Sequence, residues 1–490
     1  MKKIKSIHFV GIKGVGMTPL AIIAKEAGFE VSGCDIKDSF ITDEALAKAG
    51  IVPKIGFSRK HIKGADLAIT TGAHGGFNNI EVKETIKQGI KVLTQGEAVG
   101  VFMEGKILKR SFTGISVAGT NGKTTTTAII ATVLEKNGLD PSYIIGTGWI
   151  GSLGMPGHFG KGEYFVAEAD EYATDPVFNK TPKFLWQHPK IAIITNIEFD
   201  HPDVYKSIDE IRGVFLKFAN QLPKDGLLIT CGDDQEVRKM LKFYKGRRST
   251  YGFSKGNDYV ISNVKFIEEQ RDSGQSQNDE ESLSALSFKV AIKSRDLGTF
   301  YLNVFGKHNA LNATASIIAC LELGLKIDDI RRALIKFTGS KRRSEFVGRL
   351  PSGAFVFDDY AHNPSKVSAT LKAFKSAYPK KRIICIFQPH TYSRTKSLFE
   401  QFVRSFDYAD TVIITNIYAS LREKKDPTVS SELLFNAMKH RYQDVVFLPK
   451  LTDVVEYIDK KNYGEDTIVI TMGAGDVYKI GEQLKIVYGK

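Results

Sequence analysis

Three α/β domains, each built on a mostly parallel sheet, are the architecture that the sequence predicts. Three observations predict it. Short apolar runs alternate with amphipathic stretches along the chain, a glycine-rich turn GIKGVGM at 11–17 follows the first apolar run, and AGTNGKTTT at 118–126 repeats that strand–turn–helix pattern. The length, 490 residues, exceeds what one hydrophobic core sustains, and about 100–200 residues per domain suggests three.

The elements follow in order. An apolar run at 6–10, a helix from about 16 to 27, and strands at 30–34 and 66–70 read as a doubly wound, Rossmann-like domain over 1–110. A second α/β run opens with a strand at 114–118 and a helix beginning at Lys123, includes the apolar run 191–195, and reaches 338. Strands at 354–357, 382–387, 411–415, 445–448 and 467–471 alternate with helical stretches in the third segment, 339–490, which is again Rossmann-like. The polar stretch 268–284 lacks an apolar period and reads as an exposed hairpin loop or insertion.

Composition narrows the function. Hydrophobic content of 42% with 25% charged residues belongs to a globular protein and not to a disordered one. The net charge of +13 is not gathered into a nucleic-acid arm: the clusters at 106–110 and 341–343 are short, so anionic small molecules are the expected partners and nucleic acid is not. Four scattered cysteines, Cys34, Cys231, Cys320 and Cys385, read as reduced, mostly buried thiols. Met1 leads into Lys2, Lys3 and a strand, and no apolar run approaches the roughly 18 residues of a membrane span, so a cytoplasmic protein without membrane contact is expected.

The phosphate loop is the strongest motif. It follows an apolar strand and opens a helix, so the backbone N–H groups of Gly119, Thr120, Asn121, Gly122 and Lys123 can bind phosphate oxygens at the positive end of the helix dipole. Lys123 would reach the β and γ phosphates of ATP, and Thr124, with Thr125 behind it, would present a hydroxyl to Mg²⁺. Val117 stands where the usual first glycine would be. Downstream, VAEADE at 166–171 and TNIEFDH at 195–201 each follow an apolar run, which puts their acids at carboxyl ends of strands. Glu168 and His201 are the candidate metal ligands there.

The N-terminal turn is less specific. Gly11, Gly14 and Gly16 give G-x-x-G-x-G, with Val15 inside the turn and Asp35 closing the second strand. A diphosphate could approach the helix N-terminus, with Asp35 accepting from a ribose or base. NAD, FAD, a UDP-sugar and a purely structural turn all fit this turn by itself.

These motifs, with GKHNALNA at 306–313, FTGSKRRSE at 337–345, DDYAHNP at 358–364, FQPHTYSRT at 387–395 and MGAGD at 472–476, resemble in order the Mur ligase family of peptidoglycan synthesis over essentially the whole chain. The resemblance is closest to members that join L-alanine to UDP-N-acetylmuramate. It implies a central P-loop ATPase-like domain, with ATP and Mg²⁺ as cofactors, between a UDP-sugar domain and an amino-acid domain, in a monomer or weak homodimer. Carried over, Gly14, Val15, Gly16 and Asp35 contact the UDP-sugar; Thr124, Glu168 and His201 hold metal; and Asn309, Asn312, Arg343 and Asp359 join the phosphate loop on the nucleotide. Tyr360, His362, His390 and Arg394 match the amino-acid side. Lys123, His201, Arg343 and Asp359 are the implied catalytic set, and placing two of them in the last domain implies domain closure.

Some positions depart from the L-alanine pattern. Asn121 stands where those members usually carry histidine, and the stretch 170–184 is more similar to the recycling ligases that attach a murein tripeptide. FQPHTYSRT and MGAGD favour L-alanine. Lys217 is the lysine nearest a carbamylation position, but its register is poor and it receives no role. Two rivals from other classes are an oxidoreductase built on the first turn, which leaves the second phosphate loop unexplained, and a non-catalytic switch ATPase.

Overall fold

The computed structural model describes residues 4–267, 285–293, 295–419, 423–484 and 486; the polar stretch 268–284 lies outside them. The chain packs as two compact units, one of Met1–Lys265, Ser287–Asn303 and Asn309–Ser340, the other of Phe266–Leu286, Val304–His308 and Lys341–Lys490.

The first unit contains two large sheets and the two-stranded pair of Ala173–Asp175 and Asn179–Pro182. In the N-terminal sheet the strands lie in the order Lys54–Ile55, Glu30–Asp35, Ser6–Val10, Leu67–Thr70, Lys91–Thr94, all parallel. The order reverses beside the first strand, so the ends of Ser6–Val10 and Leu67–Thr70 flank the crevice where such sheets bind ligands. Buried Ile7 and Phe9 from this sheet pack with Leu20, Ile22 and Ile23 of the helix Thr18–Glu26. Pro19 at the helix start fixes φ where no N–H partner is needed.

The central sheet carries a parallel run of Arg248–Gly252, Leu227–Cys231, Ile191–Ile194, Thr113–Ala118, Tyr164–Ala169 and Ser142–Ile144 within ten strands. The helix Lys123–Lys136 leaves the end of Thr113–Ala118 and is buried along nearly its whole length, as a helix inside an α/β domain must be. Tyr164–Ala169 is longer than the sequence suggested: Glu168 lies inside the strand and does not follow it.

His158 ties the two sheets together. Its ring nitrogens meet Glu26 Oε2 and Asp140 Oδ1, each at 2.9 Å. The bond to Glu26 outweighs burial, and with Asp140 raises the imidazole pKa from 6.5 to about 9. A raised folded-state pKa contributes stability in full below 6.5 and loses it as pH rises through about 9. The unfolding temperature of the wild-type chain is therefore expected to fall across that window more steeply than that of His158→Ala, and parallel curves would remove His158 as the cause.

In the second unit Glu345–Arg349 pairs antiparallel to Phe355–Asp359, followed by Thr467–Met472, Arg382–Phe387, Thr411–Ile414 and Val445–Phe447 in a parallel sheet. Val356, Ile384, Ile386, Ile413 and Val469 pack on Val454 and Ile458 of the helix Leu451–Lys461. No helix among the described residues is long and apolar enough to cross a membrane.

Candidate active site

The phosphate loop closes where Thr113–Ala118 ends. Gly119 has φ +130° and Gly122 φ +84°, conformations that a side chain rarely adopts. A Cβ at Gly119 would strike the Thr195 hydroxyl, and one at Gly122 would lie 2.5 Å from Asn312 Oδ1. The loop is thus shaped jointly by its own backbone, by 195–196, and by the helix Lys307–Glu322. Asn196 Oδ1 accepts from Asn121 N at 2.8 Å, Thr195 Oγ1 donates to Asn121 O at 2.5 Å, and Glu198 Oε1 accepts from Asn121 Nδ2 at 2.9 Å. Buried Asn312 donates to Asn309 Oδ1 at 3.0 Å.

Lys123 Nζ donates to Gly119 O at 2.5 Å and to Glu171 Oε2 at 2.8 Å. Burial disfavours its ammonium, but Glu171, Asp170 and Glu168 prevail and raise its pKa above the ordinary lysine value, so the cation persists. Thr124 Oγ1 lies 3.2 Å from Glu168 Oε2, whose other oxygen accepts from Gly146 N at 2.6 Å. Asp170, Glu171 and His201 converge, with one potential ligand atom from each inside 4.8 Å of the others. Burial opposes the charge on Asp170, yet Lys183, Lys123 and His201 hold its carboxyl well below the usual range. Tyr172 lies against the His201 ring, with centroids 4.7 Å apart.

The predicted metal set is therefore resolved into two neighbourhoods, Thr124 with Glu168, and His201 with Asp170 and Glu171. The last two were not singled out from the sequence, although VAEADE contains both. Their signal was the charge balance of a buried phosphate-loop lysine, which one carboxylate engaged elsewhere does not satisfy.

In the N-terminal turn Asp35 is 1% exposed and accepts from Lys13 N and Ile36 N, both at 2.8 Å, with His74 Nε2 at 3.2 Å. The bond from Lys13 N ties Asp35 to the glycine turn. Gly14, Val15 and Gly16 lie on that turn, and Gln95, missed in the sequence, donates to Gly16 O at 3.2 Å from the strand–helix corner after Thr94.

Within the second unit Asp359 accepts from Ser344 N at 2.7 Å and Ala361 N at 2.8 Å, and the Arg343 guanidinium lies 5.2 Å from the Tyr360 ring centre. The neighbouring Arg342 is the buried arginine. It donates to Asp358 Oδ2 at 2.8 Å, Gly473 O at 2.6 Å and Gly475 O at 3.2 Å, and so joins FTGSKRRSE, DDYAHNP and MGAGD. Arg342→Ala would strand Asp358 and two carbonyls, and unfolding should cost about 3–5 kcal/mol less. Chemical denaturation measures this, and a loss below about 1 kcal/mol, the range of exposed pairs, would show the anchor to be unimportant.

Tyr360, His362, His390 and Arg394 come together as expected. Tyr360 and His362 rings lie 5.1 Å apart, His362 and His390 6.0 Å apart, and Arg394 Nη1 is 3.1 Å from His390 Nδ1. Tyr418 stacks on His390 at 5.7 Å, an addition from the segment after the strand Thr411–Ile414 that no motif marked. Thr391, at φ +69°, turns the chain and caps the helix Tyr392–Ser397 that carries Arg394.

The chain is similar to known proteins along nearly its whole length. Residues 6–107 match the Mur ligase family catalytic domain, 117–320 the Mur ligase middle domain and 342–475 the Mur ligase glutamate ligase domain. The UDP-N-acetylmuramate–L-alanine ligase of Caldanaerobacter subterraneus subsp. tengcongensis is 38% identical over 484 residues, 99% of this chain and 98% of that protein. That of Acetivibrio thermocellus is 40% identical over 98% of this chain and 95% of its own. Among solved structures, the UDP-N-acetylmuramate-alanine ligase from Thermotoga maritima superposes with a TM-score of 0.78 at 26% identity, covering 98% of this chain and 97% of that one. With three domain matches in order and relatives of this identity spanning nearly its whole length, the chain belongs to the Mur ligase family.

Proposed function

We infer that the chain is an ATP-dependent ligase that joins L-alanine to the lactyl carboxylate of UDP-N-acetylmuramate through an acyl phosphate. The observation that carries the chemistry is the phosphate loop whose lysine and threonine meet Glu171 and Glu168 at 2.8 and 3.2 Å. The acceptor rests on the full-length relatives at 38 and 40% identity, both L-alanine ligases. A murein peptide ligase from Psychrobacter arcticus shares the fold, at 23% identity and a TM-score of 0.67.

The residues divide the work. The N–H groups of Gly119 to Lys123 cradle the ATP phosphates, and Lys123 neutralises charge spreading onto the transferring group. Thr124 and Glu168 offer the hard oxygen donors that Mg²⁺ takes, and His201 supports a second metal position where Asp170 and Glu171 add two carboxylates. When bound, Mg²⁺ supplies Lewis-acid charge at the phosphate oxygens. The substrate carboxylate attacks the γ-phosphorus, ADP departs, and the neutral amine of alanine then attacks the acyl carbonyl and expels phosphate. Asn309 and Asn312, with Arg343 and Asp359, are assigned to the nucleotide. His362, His390 and Arg394, beside Tyr360, take the amino acid.

The domain limits proposed are 1–110 for the UDP-sugar, 111–338 for ATP and 339–490 for the amino acid. Gly14, Val15 and Gly16 receive the diphosphate, and Asp35 serves them by fixing the turn. Asp35→Ala should weaken UDP-sugar binding and leave ATP binding nearly unchanged, which calorimetric titration with each ligand checks; the reverse pattern would exchange the two nucleotide sites. Steady-state release of ADP should require both UDP-N-acetylmuramate and L-alanine, because the acyl phosphate must be consumed before the next turnover. A preference for a murein tripeptide over L-alanine would move the chain to the recycling reaction, and ADP release without any amide product would make it a switch ATPase.

A further inference from the structure

A second cluster of ligating side chains lies outside the ligase chemistry and serves none of its steps. His8 in the strand Ser6–Val10, Cys34 in the adjacent strand Glu30–Asp35 and Glu81 in the helix Ile80–Lys87 each place one donor atom within 4.8 Å of the others, and all three residues are 0% exposed. Glu81 Oε2 lies 2.9 Å from His8 Nε2 and 2.8 Å from Cys34 Sγ. Glu81 Oε1 accepts from Ser58 N at 2.7 Å and lies 2.7 Å from His61 Nδ1.

Parallel register brings the group together. Val10 pairs with Cys34 and His8 with Ser32, so His8 and Cys34 project from one face of neighbouring strands. Three sequence-distant positions then meet above that face, in a setting kept dry by Val10, Val82, Phe57, Phe77 and Val92.

Charge constrains what this cluster can hold. A buried carboxylate needs a compensating cation, and no lysine or arginine is among the side chains bonded to Glu81. With neutral imidazoles and a thiol, the group carries one negative charge. A divalent ion that displaced the thiol proton would face one thiolate, one carboxylate and neutral imidazoles, and the sum would be zero.

We propose that His8, Cys34 and Glu81 form a buried Zn²⁺ site, with His61 as an outer partner that holds the second oxygen of Glu81. Thiolate sulfur, imidazole nitrogen and carboxylate oxygen are all donors that Zn²⁺ takes. The outer shell fits as well: Ser32 Oγ lies 2.8 Å from His8 Nδ1 and, by accepting from it, would leave Nε2 as the ligating nitrogen. Zinc–ligand bonds of about 2.0–2.3 Å put tetrahedral donors roughly 3.4 Å apart, so the present contacts would open by about half an ångström. His61, 19% exposed in its side chain, is the way in.

The rival occupant is a proton, since an imidazolium at His8 or His61 balances Glu81 equally. The full-length chain, stripped with a chelator and titrated with Co²⁺, should develop a near-ultraviolet thiolate-to-cobalt charge-transfer band that saturates at one ion per chain. Protein from zinc-supplemented growth should carry one zinc by elemental analysis. Cys34→Ser should abolish the band, and His61→Ala should weaken Co²⁺ binding at least about tenfold while the band persists. The metal ligands assigned at the ligase site include no sulfur and cannot produce that band, so the result is independent of the ligase reading. A wild-type chain with neither zinc nor band would overturn the site and leave a proton-holding cluster, and a band that survives Cys34→Ser would assign the sulfur to another cysteine and overturn it equally.

Discussion

Lys123→Ala is expected to lower kcat/KM by about 10²–10³ at least, the cost of removing one preorganised charge from the transferring phosphoryl group. UDP-sugar binding should survive, because the N-terminal turn is built from other residues. The same substitution removes the cation that Glu171, only 3% exposed, and Asp170 both face, so a loss of stability must be separated from a loss of chemistry. Pairing Lys123→Ala with Glu171→Gln should restore most of the stability and none of the turnover. Lys123→Arg keeps the charge but changes its reach, and is expected to fall between. Near-normal turnover in any stably folded variant without a cation at 123 would remove the phosphate loop from the mechanism.

What the sequence made legible were features written locally. The phosphate loop, its strand and the start of its helix at Lys123 lie within a dozen residues, and the structure keeps them as read. The parallel sheets were legible because each strand is a short apolar run flanked by helical stretches, although strand ends moved by one or two residues and Glu168 was drawn into its strand. Pairings across the chain were not legible. Two adjacent arginines, 342 and 343, look alike in sequence, and only the left-handed turn at Arg342, φ +61°, together with the carbonyls of Gly473 and Gly475, decides which one is buried. Asp35 was read as accepting from a ribose or base because it ends a strand after a glycine turn; the bonds that it takes from Lys13 N of that turn and from Ile36 N are set by folding and could not be read from the sequence. The His8, Cys34 and Glu81 cluster was invisible to any spacing rule, since its register is set by strand pairing and not by a motif.

Arg394→Lys should raise the KM for L-alanine far more than the KM for ATP. A guanidinium can hold a carboxylate through two parallel N–H bonds, whereas an ammonium offers a point charge, so the substitution keeps charge and loses geometry. Arg394 is only 6% exposed and is aligned by His390, whose Nδ1 and carbonyl lie 3.1 and 3.3 Å from Nη1 and whose ring is backed by Tyr418. A lysine cannot make both contacts in that plane. One charge-assisted hydrogen bond is worth about 1.5–3 kcal/mol, which corresponds to roughly a ten- to 150-fold loss in kcat/KM for L-alanine. Steady-state kinetics with one substrate varied at a time measures the split. A purely supporting arginine would lower the unfolding temperature and leave the alanine KM where it was, while equal effects on ATP and L-alanine would move Arg394 to the nucleotide. His390→Ala discriminates further: if His390 aligns Arg394, it should reproduce part of the alanine effect, and adding Arg394→Lys on top should cost less than the sum of the two.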